Sequence, residues 1–296
     1  MIGATFILGA LLAVADHGPA NPLFQELQSN GVSLGKSRIP LPAPAMADGL
    51  DANRQTAVLQ KIIDDRYPVD EFTRDAVVAP FVLKFPELQG EAPIPRGIDV
   101  WFIVHGDLNE LAKVDVLKEF TSARGKDTTL HVLAADQLKA RGLPLTSADS
   151  PKHVAAVGAT EERFVHTVAK ILDHVELHQT MRCVLSRTND SVVIASQVDR
   201  RFDKDREFPN FYHRLIRNDE GEITKGPAQP FSGSAGGYMK ATQLASPKGA
   251  LLVEYHTIYS EPQDWFNGAN LLQSKLPILL QSRVRELRRD VRKAKK

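Results

Sequence analysis

The sequence predicts an α+β fold in which a curved antiparallel sheet grips a long C-terminal helix, preceded by a helical N-terminal extension. The first observation is a run of short alternating segments between Val175 and Tyr259, which is typical of antiparallel strands. The second is a helical pattern of about thirty residues, Asp264–Lys293, whose apolar side chains form one stripe. The third is Ile98–Val104, which is apolar on both faces and therefore predicts a strand that is covered on both sides.

Residues 16–96 are predicted to form the N-terminal extension and a linker. Its expected elements are a helix after Asn21-Pro22, a proline-rich linker at Lys36–Gly49, a helix at Leu50–Asp65 and a strand at Ala76–Phe85. The first helix has good end signals, because Asn21 can cap it and Gly31 suits its C-terminal end. Pro80 cannot donate a hydrogen bond to a neighbouring strand, so we expect the Ala76–Phe85 strand to be an edge strand or a bulged one.

Residues 97–296 are predicted to form the main domain. Its expected elements are a strand at Ile98–Val104, a helix at Leu108–Ser122, a strand at Thr128–Ala134, a helix at Asp136–Arg141, a helix from Thr160 to about Asp173, strands at Val175–Leu185, Ser191–Val198, Phe211–Arg217, Gly237–Leu244 and Ala250–Tyr259, and the final helix. Pro277 should kink that helix near its start, because proline removes one backbone hydrogen bond.

The N-terminus predicts export. Ile2–Val14 is almost wholly apolar and leads into Ala13-Val14-Ala15, an A-x-A pattern. A run of this length is too short to span a bilayer but suits a signal peptide. We therefore interpret residues 1–15 as a signal peptide and expect a periplasmic or extracellular protein. The alternative is an ordinary buried helix or strand.

Composition and charge limit the kinds of binding partner that we expect. The chain has 296 residues, 43% of them hydrophobic, with a net charge of +1, so we expect a globular protein and no nucleic-acid partner. From Arg283 to the C-terminus, eight Lys or Arg stand against two acids. Such a basic end predicts either peripheral contact with an anionic membrane or cations at the negative end of a helix dipole. We favour the helix-end interpretation.

The order of elements resembles the START-like helix-grip superfamily, the polyketide cyclase and lipid-transfer group, over about residues 97–296. The resemblance is strongest from Gly236-Gly237-Tyr238 onward, where Trp265, Phe266 and Pro277 occupy the places of an aromatic loop and a proline in the first half of the last helix. It implies a hydrophobic tunnel between the sheet and that helix, although one fold hosts many functions. The residues expected to line the tunnel are Met181, Met239, Tyr255, Leu272, Leu276 and Leu280.

Three functions follow as hypotheses. The first is binding or carriage of a hydrophobic or amphipathic, lipid-like small molecule, with no cofactor. The second is an enzyme of cyclase or hydrolase type, which would need an ionisable side chain inside the cavity. The third is a non-catalytic interaction module of the cell envelope. Several polar residues on the predicted strands either orient a ligand or are ordinary sheet residues: Tyr212, Tyr238, Tyr255, Tyr259, His213 and His256.

The motifs with chemical potential favour structural roles. His174, Glu176 and His178 form H-x-E-x-H and could converge on a metal, but their alternation with apolar residues favours a solvent-facing strand surface, so we expect no metal. We interpret Asp107 beside His105 as a helix cap and expect Cys183 to be buried. The charged segment Asp199–Glu207 lacks calcium-loop spacing. Gly233–Gly237 precedes a predicted strand instead of the helix that a phosphate loop needs.

Overall fold

A computed structural model describes residues 17, 20–34, 37–88, 94–112, 128–143, 156–218, 220–231, 234–262, 265–266 and 271–295. Within these residues the chain is α+β, with one large antiparallel sheet and a long C-terminal helix, as predicted. The predicted signal peptide over residues 1–15, most of the predicted helix at Leu108–Ser122, the start of the final helix and the side chain of Leu272 lie outside the described part.

Six helices and twelve strands occur in the described residues. The helices are α1 (Pro22–Ser29), α2 (Ala52–Ile63), α3 (Val69–Thr73), α4 (Leu108–Ala112), α5 (Ala135–Lys139) and α6 (Leu271–Ala294). The strands are β1 (Val32–Leu34), β2 (Ser37–Ile39), β3 (Phe81–Lys84), β4 (Pro95–His105), β5 (Thr129–Val132), β6 (Thr160–Ile171), β7 (Val175–Arg187), β8 (Ser191–Val198), β9 (Phe211–Arg217), β10 (Ile223–Pro230), β11 (Ala235–Gln243) and β12 (Ala250–Ser260).

The sheet brings the beginning and the end of the main domain together. Its strands run in the order β10-β9-β7-β8-β11-β12-β4-β3, and β5 joins it through β6, which pairs with β7. The first strand of the main domain, β4, therefore pairs with β12, which precedes α6 in sequence. Strand β3 is an edge strand, as Pro80 predicts, and it shows that the N-terminal extension contributes to the same sheet.

Each face of the sheet is covered, as the two-sided pattern of Ile98–Val104 predicts. The inner face, which carries Val100 and Phe102, packs in one apolar cluster with Val284, Leu287 and Val291 of α6. The outer face carries Trp101 and Ile103 and packs against α2 and α3, while α1 and β1 cover the part of it on β8 and β11. The protein therefore has three layers, with the extension on one side of the sheet and α6 on the other.

The ends of α1 and α2 follow from local sequence. The side chain of Asn21 accepts a hydrogen bond from the backbone N–H of Phe24, and Pro22 occupies the first turn. Gly31 has a φ of +84°, and a Cβ there would lie 2.4 Å from the carbonyl carbon of Ile39, so glycine is required. Asp51 caps α2 in the same way as Asn21 caps α1.

Two element predictions are wrong. Residues 160–171, predicted as a helix, form β6, which pairs along its whole length with β7. The apolar spacing of Phe164, Val168 and Ile171 fits a helix, but β-branched residues and tertiary pairing favour the strand. Strand β10 was not expected, because Pro227 and Pro230 lie in it; it is an edge strand, where proline is tolerated.

The prediction of a solvent-facing surface around Glu176 is also wrong. Glu176 and Thr180 are buried, and so is Val184 further along the same face. The reason is that residues of the extension and of the segment after β8 cover this outer face: Val184 packs in a cluster with α1, and Thr180 hydrogen-bonds with Asn210 and Phe208. Burial of Cys183, on the inner face, is confirmed.

Candidate functional site

The two halves of α6 pack differently against the inner face. In the C-terminal half, Val284, Leu287 and Val291 are buried. In the N-terminal half, Leu276 and Leu280 pack against the apolar cluster but remain partly exposed. The layer between helix and sheet is therefore sealed at one end and incompletely covered at the other. Pro277 lies inside the incompletely covered half.

We call this region the inner layer; it comprises the inner face of the sheet and the apolar stripe of α6. Most of the residues predicted to line a tunnel meet in it. Met181 and Met239 are buried members of its apolar cluster, and Tyr255, Leu276 and Leu280 pack half-buried against the same cluster. The side chain of Leu272 is outside the described part. The spacing of strands and helix thus brings five predicted residues into one layer.

An aromatic group lies in the inner layer next to the start of α6. The ring of Trp265 is 5.9 Å from that of Phe231 and 5.6 Å from that of Tyr212, and Phe266 adjoins it at 6.4 Å. The indole N–H of Trp265 is buried and has no hydrogen-bond partner among the described residues. A buried donor without a partner costs about 1–3 kcal/mol. A ligand atom that accepts a hydrogen bond from this N–H would remove that cost.

Half-buried polar groups lie at the end of β12. Tyr259 is paired with Arg96 across the β12–β4 ladder, and Glu261 follows the strand. Burial raises the pKa of Glu261 above its usual range, although the charge of Arg96 opposes the shift. Burial also raises the pKa values of Tyr255 and Tyr259. Burial therefore disfavours the charged forms of these groups, which suits contact with a ligand that is largely apolar.

A groove lies where α6 meets the chain just before β3 and β3 itself. It has a volume of about 340 Å³. Its walls carry apolar residues such as Phe81 and Val284, and three arginines, Arg66, Arg285 and Arg288. No acidic side chain lines the groove in the part of the chain that the structure describes.

The polar strand residues divide between the two faces. Tyr212, Tyr255 and Tyr259 belong to the inner layer or pack against it. The other three lie on the outer face, since His213 is paired with Glu176 there and Tyr238 donates a hydrogen bond to the carbonyl of Pro42 in the extension. His256 hydrogen-bonds with Asp99 at 2.7 Å and lies 3.8 Å from Glu254. The two histidines that would serve an enzyme therefore face away from α6.

The outer face holds buried charged groups that tie the extension to the sheet. Lys240 lies 2.7 Å from Asp48 and donates to the carbonyl of Met46. Glu254 is fully buried and accepts hydrogen bonds from the backbone N–H groups of Ala45 and Met46. We call the set of Asp48, Lys240 and Glu254, with their hydrogen-bonding partners, the outer polar network. Burial opposes protonation of His256, but its bond to Asp99 and the nearby Glu254 raise its pKa above the ordinary value.

The H-x-E-x-H segment makes local contacts. Glu176 lies 3.0 Å from His178 and 2.7 Å from Lys225, and the ring of His178 stacks on Phe211. Among the described residues, no three His, Cys, Asp or Glu side chains are arranged to hold a metal ion. Asp107 accepts hydrogen bonds from the backbone N–H groups of Asn109 and Glu110, which confirms it as a helix cap.

Comparison with models of known protein families finds no match, and comparison with curated protein sequences finds none either. In the described part of the chain, no helix combines the length and the apolar character needed to cross a membrane. The candidate site is therefore defined by the geometry of the inner layer and of the groove beside it.

Proposed function

We propose that this protein binds a hydrophobic or amphipathic, lipid-like small molecule between the inner face of the sheet and α6, on a START-like helix-grip scaffold. The observation that carries the proposal is the half-exposed apolar surface under the first half of α6. Leu276 and Leu280 lie over a cluster that contains Met181 and Met239, and solvent still reaches them. Apolar area that stays exposed favours a ligand that would cover it.

The order of the sheet supports the scaffold. Strand β4 opens the main domain, pairs with β12, and is packed against α6. The helix α6 comes after β12 in sequence and packs against the inner face of the sheet, which is the arrangement that the helix-grip resemblance implies.

Ligand affinity would come from burial of the apolar chain. Each methylene group removed from water contributes about 0.8 kcal/mol, so a chain of ten carbons would be bound well even after the cost of ordering it. Methionine side chains such as Met181 and Met239 adapt to ligands of irregular shape, because they are unbranched and polarizable. The N–H of Trp265, which has no partner among the described residues, and the hydroxyl of Tyr255 would contact any polar atom of the ligand that lies inside the inner layer.

An enzyme of cyclase or hydrolase type has one observation in its favour. Glu261 is half-buried and burial raises its pKa, and a raised pKa makes a carboxyl group a better candidate for a general acid. His213 and His256 supply no support, because they lie on the outer face. The carrier therefore remains the better-supported proposal, and turnover that Glu261→Gln abolishes would favour the enzyme.

Export and membrane contact are separate proposals. Export rests on the apolar N-terminus and its A-x-A pattern. Several cations of the basic end are used within the molecule: Arg283 pairs with Glu286, Lys293 with Asp290 and Arg292 with Asp75. These ion pairs support the helix-end interpretation of the basic residues over direct membrane contact.

Native mass spectrometry of the chain without residues 1–15, purified without detergent, tests the carrier. We expect a co-purifying lipid at near-equal stoichiometry. Leu280→Trp should fill the inner layer and abolish ligand retention, whereas Ile278→Trp, on the exposed side of the same helix, should retain it. A clean ligand-free mass that does not change after incubation with mixed lipids would contradict the proposal.

A further inference from the structure

The groove beside α6 combines a positive rim with an apolar floor. Arg66, Arg285 and Arg288 line it, together with Phe81 and Val284. Val284 is a buried member of the inner layer, and Phe81 packs against that layer. The groove and the inner layer therefore share walls, so one extended molecule could contact both.

The arginines of the groove differ from those of a second depression, on the outer face. The four arginines of that depression each have an acidic partner: Arg38 with Glu26, Arg182 with Glu162, Arg200 with Asp203 and Arg201 with Asp199. In the groove beside α6, no acidic residue lines the wall among the described residues. The positive charge of this groove is therefore not balanced locally.

Arg288 is a fixed cation in this setting. Its side chain is 4% exposed and donates hydrogen bonds to the backbone carbonyls of Ile103, Val77, Ala79 and Pro80. Carbonyl groups satisfy its N–H donors but do not neutralise its charge, and a buried charge without a counter-ion is costly. Burial, followed by repulsion from Arg292 and Arg285, lowers its pKa to about 10.

Arg285 stands one turn before Arg288 on α6 and faces the same groove. Like charges three residues apart on a helix repel each other. Arg66 adds a third cation from the segment after α2. An anion between Arg66 and Arg285 would offset this repulsion, and guanidinium groups bind carboxylate and phosphate oxygens in pairs.

The geometry points to the groove as the binding site for the anionic head group of an amphiphile, with phosphate or carboxylate chemistry, whose chain runs past Phe81 into the inner layer. This inference rests on the proposed ligand-binding function and specifies the ligand class. Val78, an apolar residue of the groove wall, is 61% exposed and fits an amphiphile that enters from this side.

Binding of dodecyl phosphate, dodecanol and inorganic phosphate by isothermal titration calorimetry tests the inference. We compare the wild type with Arg66→Gln/Arg285→Gln. The matched control is Arg206→Gln/Arg289→Gln, which removes two exposed arginines outside the groove. All four side chains have solvent-exposed surface, so the variants should fold, and circular dichroism verifies this. In the wild type, dodecyl phosphate should bind about tenfold more tightly than dodecanol, because its phosphate would form two partly solvated ion pairs, with Arg66 and Arg285.

The groove variant should lose that preference and keep its affinity for dodecanol, and the control should keep both. Equal binding of dodecyl phosphate and dodecanol by the wild type would overturn the head-group site while leaving the carrier proposal intact. Inorganic phosphate that binds as tightly as dodecyl phosphate would overturn a lipid source for the anion. Failure of dodecyl phosphate and dodecanol alike to bind would overturn the carrier proposal and this inference with it.

Discussion

Asp48→Asn tests whether the outer polar network holds the N-terminal extension on the sheet. Asp48 is buried, lies 2.7 Å from the ammonium group of Lys240, and accepts hydrogen bonds from Ser191 and Thr188. The substitution leaves Lys240 as a buried cation without its counter-ion. Breaking one partner of a buried ion pair costs about 3–5 kcal/mol, so we expect the free energy of unfolding in urea at pH 7 to fall by that amount.

The matched control is Asp51→Asn. Asp51 caps α2 and its ion pair with Arg54 is exposed. Asn caps a helix as well as Asp does, and an exposed ion pair contributes little, so this variant should unfold within about 0.5 kcal/mol of the wild type. If Asp48→Asn is no more destabilising than the control, the network does not hold the extension in place.

The pH dependence gives a second measurement on the same variant. Burial alone would raise the pKa of Asp48, but the charge of Lys240 and hydrogen bonds from Lys240, Thr188 and Ser191 bring it below the ordinary value of 3.8. A carboxyl whose pKa is lowered by folding contributes stability that is present above pH 3.8 and is lost as the pH falls through the lowered pKa. The stability gap between wild type and Asp48→Asn should thus be constant near neutral pH and shrink in acid. A gap that does not change with pH would contradict this assignment.

Two further predictions concern buried ionisable groups. Burial raises the pKa of Cys183 to about 12. Ellman's reagent at pH 8 should therefore label no thiol in the folded protein and one equivalent of thiol in urea. Rapid labelling of the folded protein would contradict burial of Cys183 and show that the inner layer opens. Burial, followed by the charges of His178 and His131, lowers the pKa of His166 to about 4 from 6.5. The unfolded chain then binds more protons between those values, so stability should fall as the pH drops from about 6.5 to 4; unfolding curves of His166→Gln should lack that component, and an unchanged slope would contradict the shift.

The sequence predicts an element correctly where its cap residues or its apolar pattern favour the same structure as its packing in the fold. Asn21 and Gly31 mark the ends of α1, and the two-sided pattern of Ile98–Val104 predicts a covered strand. Strand β6 was missed because its turn to β7 has no glycine: Leu172 and Asp173 adopt φ values of +51° and +56°. Leucine rarely takes that conformation, so nothing in the sequence marks the hairpin.

The candidate site was predictable only in part, because register depends on partners distant in sequence. The pairing of Val253 with Phe102 places Tyr255 on the inner face and His256 on the outer face. No local pattern shows that pairing. Likewise, the groove depends on Arg66, which reaches α6 from the extension. The apolar lining follows from periodicity, whereas the charged rim follows from the packing of the extension.

The burial of the outer face also argues against catalysis there. Ser191 hydrogen-bonds with both His17 and Asp48. Serine, histidine and aspartate are the residue types that serve as nucleophile, base and acid in a catalytic triad. In a hydrolase the acid orients the histidine, and the serine must be open to substrate. Here the hydroxyl of Ser191 donates to Asp48, the nitrogen of His17 is 3.8 Å from Asp48, and all three side chains are almost fully buried. Around Ser191, the outer face therefore connects the extension to the sheet, and our ligand proposal rests on the incompletely covered inner layer and the arginine-lined groove beside it.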